Sequence, residues 1–124
     1  MSVRGVRGAT VASHDQPEAI LDATTELLQA LMEANPQIRS ADIASALFTV
    51  TDDLGSEYPA RAAREFGWDT IPLLCAREIP VPGSLELCIR VLLHWNTEIP
   101  QSDIRHVYLG NAARLRPDLG KVDN

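Results

Sequence analysis

Apolar residues recur at helical spacing in one long stretch near the start of the chain. The stripe consists of Ile20, Leu21, Leu27, Leu28, Leu31 and Met32. Asp15 and Glu18 stand three residues apart, as in a capping box, and Pro17 suits a first helical turn, while Asn35-Pro36 stops a helix. The pattern predicts one long helix that opens at Ser13 or Asp15 and ends before Asn35.

Shorter apolar runs, separated by prolines and glycines, predict strands and short helices. The predicted strands cover residues 3–10, 45–51, 71–78, 85–95 and 104–109. A helix of about two turns is predicted at 58–67, with Gly67 as its cap, and a single helical turn at 40–44. Gly5 and Gly8 in the first strand mark places where a neighbouring backbone or a ligand comes close.

These elements predict an α+β fold, in which a five-stranded mixed sheet carries one long helix and short helices. One helix covers only part of such a sheet, while Leu92, Leu93 and Trp95 are apolar on both faces of their strand. Because a bare apolar face must be buried, we expect copies of the chain to pack into a closed oligomer. The length predicts a single domain over residues 1–124, with a tail from about residue 117 that can be mobile.

Charge and cysteine usage narrow the class of protein. The net charge of −6 and the pI near 4.9 disfavour nucleic acid and anionic membranes as partners, because phosphate binding needs a basic field. No stretch has the length and hydropathy of a signal peptide or a membrane span. Cys75 and Cys88 show neither metal-ligand nor disulfide spacing, so we expect a soluble protein of the reducing cytoplasm.

The usual catalytic motifs are absent from the sequence. It contains no Gly-rich phosphate loop, no serine-nucleophile motif and no His/Glu metal pattern. His14, His94 and His106 are scattered, and structural roles are the simpler interpretation for all three. Cys75 and Cys88 are interpreted in the same way, as small buried apolar groups.

Arginine is the chemically unusual feature of the chain. Ten of the eleven Lys and Arg residues are arginine, although a GC-rich genome would give the same count. Arg90 lies inside the apolar run 85–95, and since a guanidinium cannot lose its proton, it must face water, a protein carboxylate or an anionic ligand. Arg7 is also flanked by apolar residues, and such a pair suits a small dianion. Glu78 is either a structural ion-pair partner of Arg90 or a site residue. The arginines interpreted as solvated are Arg64, Arg105 and Arg114.

Six motifs then point to a known family. They are Arg4-Gly5-Val6-Arg7-Gly8-Ala9-Thr10, Tyr58-Pro59-Ala60-Arg61, Pro72-Leu73-Leu74-Cys75-Ala76-Arg77-Glu78, Cys88-Ile89-Arg90-Val91, Pro100-Gln101, and Ile104-Arg105-His106-Val107-Tyr108-Leu109 with Leu115-Arg116-Pro117-Asp118. In order and spacing they resemble the motifs of the monofunctional trimeric chorismate mutases of the pseudo-α/β-barrel type. The resemblance runs from Met1 to about Leu119.

That resemblance implies both an activity and an assembly. The activity is the cofactor-free and metal-free rearrangement of chorismate to prephenate, an isomerase reaction of the shikimate pathway that leads to phenylalanine and tyrosine. The assembly is a cytoplasmic homotrimer that closes into a pseudo-α/β barrel, with three active sites between subunits. It involves no nucleic acid and no membrane.

The resemblance also implies catalytic roles for Arg90, Glu78 and Arg7. Arg90 would donate to the ether oxygen as it gains negative charge, Glu78 would accept from the ring hydroxyl, and Arg7 would grip a carboxylate. Arg7 of one subunit would lie beside Arg90, Glu78, Cys75 and Tyr108 of the next subunit. The implied substrate-binding residues are Tyr108, Cys75, Arg61, Arg64, Tyr58, Ala60, Leu73, Leu74, Leu115 and Arg116.

Strand geometry adds a condition to this site. Side chains alternate along a strand, so Cys75 and Glu78 should point to opposite faces, although their implied roles need both at one cavity. We therefore predict a bulge or a strand end near 76–79. The chain departs from its relatives only at the rim, where they also accept lysine at Arg61 and carry a small polar residue at Leu74.

Two other functions remain open from the sequence. A trimeric imine hydrolase of similar architecture also grips a carboxylate with an intersubunit arginine, but it does not explain Glu78 beside Arg90 and Tyr108. A trimeric sensor of small carboxylates would carry a long effector loop, and the longest candidate, residues 51–57, is short.

Overall fold

A computed structural model of the chain describes residues 1–115. Within that range its strands are β1 (Ser2–Val11), β2 (Ile43–Val50), β3 (Leu73–Arg77), β4 (Cys88–Thr97) and β5 (Val107–Tyr108). Its α-helices are α1 (Pro17–Ala34) and α2 (Pro59–Glu65), joined by short 3-10 helices at Ser40–Asp42, Gln101–Asp103 and Gly110–Arg114. Arg116 and the predicted tail lie outside the described residues.

The five strands form one mixed sheet in the order β3-β2-β4-β1-β5. β4 runs antiparallel to β1 and β2, whereas β3 is parallel to β2 and β5 is parallel to β1. The predicted α+β fold with a five-stranded mixed sheet is thus confirmed.

Three strands are shorter than the apolar runs predict, and the first of them, β3, covers only Leu73–Arg77 of the predicted 71–78. β4 begins only at Cys88, because Leu87 adopts a φ of 54° that ends extended backbone. The N–H of Leu87 instead donates to both carboxylate oxygens of Asp53, at 3.1 and 3.0 Å. β5 has only two residues, since the backbone N–H and carbonyl of Arg105 bond to the side chain of Asn35, at 2.9 and 2.8 Å, instead of to a neighbouring strand.

Helix α1 covers one face of the sheet. Along β4 the odd-numbered residues 89–97 are buried, while residues 90, 92, 94 and 96 are only half-buried, which is the two-residue period of a strand. The helix and strand side chains of the main core include Leu27, Leu28, Leu31, Phe48, Val91, Leu93 and Trp95. The single chain therefore buries one face under α1.

The opposite face, here called the open face, has no α-helix of residues 1–115 packed along it. From the strand register it carries Arg7, Ala9, Leu47, Thr49, Leu74, Arg90, Leu92 and His94. The 3-10 helix Gly110–Arg114 covers the end of this face near Ala9, where Ala112 and Tyr108 are fully buried beside it. The rest of the face is the uncovered apolar surface that the sequence predicts.

The predicted capping box is wrong. Gln16 is the N-cap of α1, and it makes no side-chain capping bond. The carboxylate of Asp15 turns away from the helix and accepts hydrogen bonds from Gly55 N, Ser56 N and Ser56 Oγ, at 3.1, 3.0 and 2.7 Å. The three donors of this distant loop bind the carboxylate in place of the N–H groups at the helix terminus. The spacing of Asp15 and Glu18 in the sequence does not predict that this loop lies close to Asp15.

Among the described residues, no helix combines the length and the apolar character needed to cross a bilayer.

We expect Gly8→Ala to destabilise the protein and Gly5→Ala to be tolerated. A Cβ at Gly8 would lie 3.0 Å from Leu31 Cδ1 and 3.1 Å from Leu27 Cδ1, whereas a Cβ at Gly5 would meet only Leu92 Cδ1, at 3.6 Å. Overpacking of this kind costs about 1–3 kcal/mol. Thermal unfolding of both variants measures the difference, and an unchanged midpoint for Gly8→Ala would contradict the close approach of α1.

The contribution of Asp15 to stability should depend on pH. Its hydrogen bonds from Ser56 and Gly55 hold the pKa of Asp15 below its usual value. A lowered pKa in the folded state means that the carboxylate stabilises the fold above about pH 4 and that this stabilisation disappears as the pH falls.

Asp15→Asn should therefore lower the urea midpoint at pH 7, and this deficit against the unmodified protein should shrink as the pH falls below about 4. Asp52 is an exposed carboxyl in the neighbouring loop, and Asp52→Asn is the matched control. A pH-independent deficit in Asp15→Asn would show that the charge is not the cause.

Candidate active site

Arg90 stands in the middle of β4, on the open face. Its cross-strand neighbours are Ala9 on β1 and Thr49 on β2. Its Nε atom lies 3.4 Å from Oε2 of Glu78, and only about a quarter of each side chain is exposed, 26% and 22%. The buried Nε makes no hydrogen bond within residues 1–115. Arg90 thus has a carboxylate neighbour, and because a quarter of its side chain stays exposed, the guanidinium can still donate to a ligand from that exposed part.

Glu78 reaches Arg90 from the end of β3. That strand ends at Arg77, as predicted, and Glu78 N donates to the carbonyl of Val50 at 2.9 Å. The hydroxyl of Thr49 also donates to Oε2 of Glu78. One carboxylate oxygen therefore has a neutral donor and a cation beside it.

Arg7 lies on the open face of the same chain. The register pairs Arg7 with Leu92, one position along the face from the Ala9–Arg90 pair. Its Cζ lies 5.8 Å from the centre of the Tyr108 ring, within the range of a cation–π contact. The register thus puts Arg7 and Arg90 of one chain on the same face, and the expected division, with Arg7 supplied by a different subunit, stays a prediction.

His106 fixes the backbone at Arg7. The N–H of Arg7 donates to Nδ1 of His106 at 3.0 Å, so this nitrogen acts as an acceptor and carries no proton. Parallel pairing of β1 with β5 then begins one residue further, at Gly8 and Val107. The sequence suggests only a structural histidine here, and it gives no sign that Arg7 is its partner.

Cys75 lies apart from Arg90 and Glu78. It pairs with Phe48, whose side chain is in the core under α1, so the thiol of Cys75 and the carboxylate of Glu78 are on opposite faces of the sheet. The strand end does not bring them together, because the alternation simply continues to Glu78. Burial raises the pKa of the Cys75 thiol, against smaller opposing effects of the Ala60 N–H and the Arg64 charge. The thiol therefore remains protonated at neutral pH.

Helix α2 brings four of the predicted site residues together. Tyr58 precedes the helix and is 69% exposed, Ala60 is buried, and Arg61 and Arg64 are exposed. Tyr58 and Cys75 line a cavity of about 310 Å³ on this side of the molecule. We call Tyr58, Ala60, Arg61, Arg64 and Cys75 the α2 group.

Arg61 is already paired along its own helix. Its guanidinium lies 2.8 Å from Glu57 and 3.4 Å from Glu65. The hydrogen bond that Arg61 donates to Glu57 raises the pKa of Arg61, and the donors Tyr58 N–H and Arg61 lower the pKa of Glu57. Arg61 and Glu65 are exposed, whereas the side chain of Glu57 is only 14% exposed, so the pair with Glu65 is the one that exchanges readily with other anions in solution.

The remaining predicted site residues occupy other surfaces. Leu73 and Leu74 border a cavity of about 290 Å³ beside His94, and Leu74 is 65% exposed. Leu115 borders a cavity of about 630 Å³ beside Leu85. Within one chain the predicted site is therefore divided between the open face, the α2 group and the cavities around them.

The other cysteine, Cys88, is fully buried at the start of β4. Burial raises the pKa of Cys88, with Arg90 opposing the shift, so this thiol is also protonated. Residues 1–115 contain no cluster of three His, Cys, Asp or Glu side chains that could hold a metal ion.

Comparison with known proteins identifies the family. Residues 3–119 match the family described as chorismate mutase type I. The chorismate mutase AroH of Thermus thermophilus is 56% identical over 117 residues, which cover 94% of this chain and 96% of the relative. The AroH of Bacillus subtilis (strain 168) is 42% identical over 125 residues, covering 100% and 98%. A solved structure of a chorismate mutase from Clostridium thermocellum superposes with a TM-score of 0.86 at 46% identity, covering 89% of this chain and 97% of that one.

The chain belongs to the chorismate mutase type I family. This confirms the enzyme class predicted from the six motifs, an isomerase of aromatic amino acid biosynthesis. None of these relatives is an imine hydrolase or a carboxylate sensor.

Proposed function

We propose that the chain rearranges chorismate to prephenate at a site centred on Arg90 and Glu78. The observation that carries this proposal is the half-buried guanidinium of Arg90, held beside one carboxylate with its Nε free of hydrogen bonds. A second cation, Arg7, stands on the same face one position away. Two cations and one anion leave a net positive site, which suits a substrate with two carboxylates.

The reaction needs field and shape rather than proton transfer. One C–O bond breaks as one C–C bond forms in a concerted shift, so no nucleophile, metal or cofactor takes part. Arg7, with Tyr108, would grip a carboxylate and hold the enolpyruvyl arm over the ring. Arg90 would donate to the ether oxygen as negative charge develops there, and Glu78 would accept from the ring hydroxyl.

The divided site supports a homotrimer. Arg7, Glu78, Arg90 and Tyr108 assemble within one chain, whereas the thiol of Cys75 lies on the other side of the sheet with α2. If the open face of one subunit packs against the α2 group of the next, the two parts meet and the apolar open face is buried. Leu73, Leu74, Leu115 and Arg116 would complete the walls. The two free thiols fit the reducing cytoplasm.

Arg90→Ala should lower kcat strongly while the protein stays folded. Loss of one preorganised donor at a developing anion typically costs about 10²–10³ in kcat. The measurement is the fall in chorismate absorbance with purified protein and no added metal. Arg105→Ala is the control, because that arginine is exposed on the same chain, and nearly full turnover by Arg90→Ala would refute the role of Arg90.

Two inactive variants should restore activity when they are co-expressed. Arg90→Ala damages the open face, and Tyr58→Asp places an anion in the α2 group, where it repels the substrate. Among all trimers assembled at random from equal amounts of the two variants, about a quarter of the intersubunit sites combine an intact open face with an intact α2 group.

Activity near a quarter of the unmodified level would support the intersubunit site. Activity no higher than that of the separate variants would place the whole site in one subunit. Sedimentation of the unmodified protein gives the number of subunits independently.

A further inference from the structure

Thr49 is the neutral neighbour of the charged pair. Its hydroxyl donates to the same oxygen, Oε2 of Glu78, that faces Nε of Arg90 at 3.4 Å. The family motifs quoted above do not include Thr49, and threonine as a residue type indicates only a preference for strands.

The register of three strands fixes this arrangement. Thr49 on β2 is directly opposite Arg90 on antiparallel β4 and directly beside Ala76 on parallel β3. Glu78 follows two residues after Ala76, on the same face, and its N–H is tied to the carbonyl of Val50. Thr49 is β-branched and restricted at χ1, so its hydroxyl is a rigid donor.

The geometry of the ion pair is unusual. Arginine and a carboxylate usually form short hydrogen bonds of about 2.7–2.9 Å, often two in parallel. Here the closest approach is 3.4 Å, without hydrogen-bond geometry at Nε, although both side chains are largely shielded from water. The hydroxyl of Thr49 bonds to a lone pair of Oε2 that the guanidinium would otherwise use.

We propose that Thr49 is a positioning residue for the rearrangement. By holding Oε2, it keeps Glu78 from closing onto Arg90, leaves the second carboxylate oxygen for the ring hydroxyl of the substrate, and leaves the guanidinium of Arg90 for the ether oxygen. This inference rests on the roles proposed above for Glu78 and Arg90. Thr49 itself need not touch the substrate.

The test is a pair of substitutions that differ in the hydroxyl. Thr49→Val keeps the shape and removes the donor, so Glu78 can pair fully with Arg90, and kcat should fall about 10-fold while KM changes less than about 3-fold. Thr49→Ser restores the donor and should recover kcat to within about 3-fold. Thr49→Ala serves the same comparison if the valine variant does not fold.

A merely structural role gives a different pattern. It would lower the thermal midpoint in both the Val and the Ser variants, and it would leave kcat of the folded fraction unchanged. That outcome, or full kcat in Thr49→Val, would overturn the proposal.

A double-mutant cycle with Glu78 separates this inference from the proposed function. In a Glu78→Ala background, Thr49→Val should cause no further loss, because Thr49 acts through that carboxylate. A further 10-fold loss would overturn the proposal. If Glu78→Ala alone keeps full turnover, the role of Glu78 fails and the inference falls with it. If Glu78→Ala is slow but Thr49→Val is normal, only the inference on Thr49 fails.

Discussion

The guanidinium of Arg90 stays charged wherever the fold places it, and β4 places it at the centre of the sheet. A charge there is tolerated because Glu78 arrives from the end of β3, across the intervening strand β2. The pair therefore depends on two registers at once, the antiparallel one of β2 with β4 and the parallel one of β2 with β3. A slip of one residue in either register would move a side chain to the other face and leave Arg90 without its counter-charge.

The same sheet explains why one chain holds only part of the proposed site. Helix α1 buries one face, and the face that carries Arg7 and Arg90 remains largely uncovered, with Leu47 and Leu92 between charged positions. The apolar side chains between the arginines are unfavourable in water. Packing of a second subunit on this face would remove them from water and would also enclose the two arginines. In the trimer we propose, assembly would thus create the low-dielectric setting in which a fixed charge acts most strongly on a reacting oxygen.

Much of this fold can be predicted from the sequence, because its signals are periodic. The stripe of α1 and the run that became β4 follow from local patterns, whereas the end of β3 near Arg77 is expected from the roles that the family resemblance implies for Cys75 and Glu78. The failures share one cause, which is a contact between distant segments. Asp15 binds the loop at Gly55 and Ser56 instead of capping its own helix, and Leu87 turns its backbone towards Asp53. No local pattern contains either partner.

The site shows the same limit more sharply. The charged residues of the site can be found from the sequence because an arginine among apolar residues needs an anionic partner or solvent. The sequence does not show how these side chains are oriented. In the structure the orientation comes from uncharged neighbours, the hydroxyl of Thr49 on Glu78 and the ring nitrogen of His106 on the backbone of Arg7. In a reaction without proton transfer, the protein contributes by orienting its charged side chains. Arg7, Glu78 and Arg90 stabilise the transition state only if they are already held in the positions that it requires. The residues that hold them there are ordinary in type and become meaningful only through strand register. The motifs therefore leave out Thr49, and although they include His106, they do not reveal that it binds the backbone of Arg7.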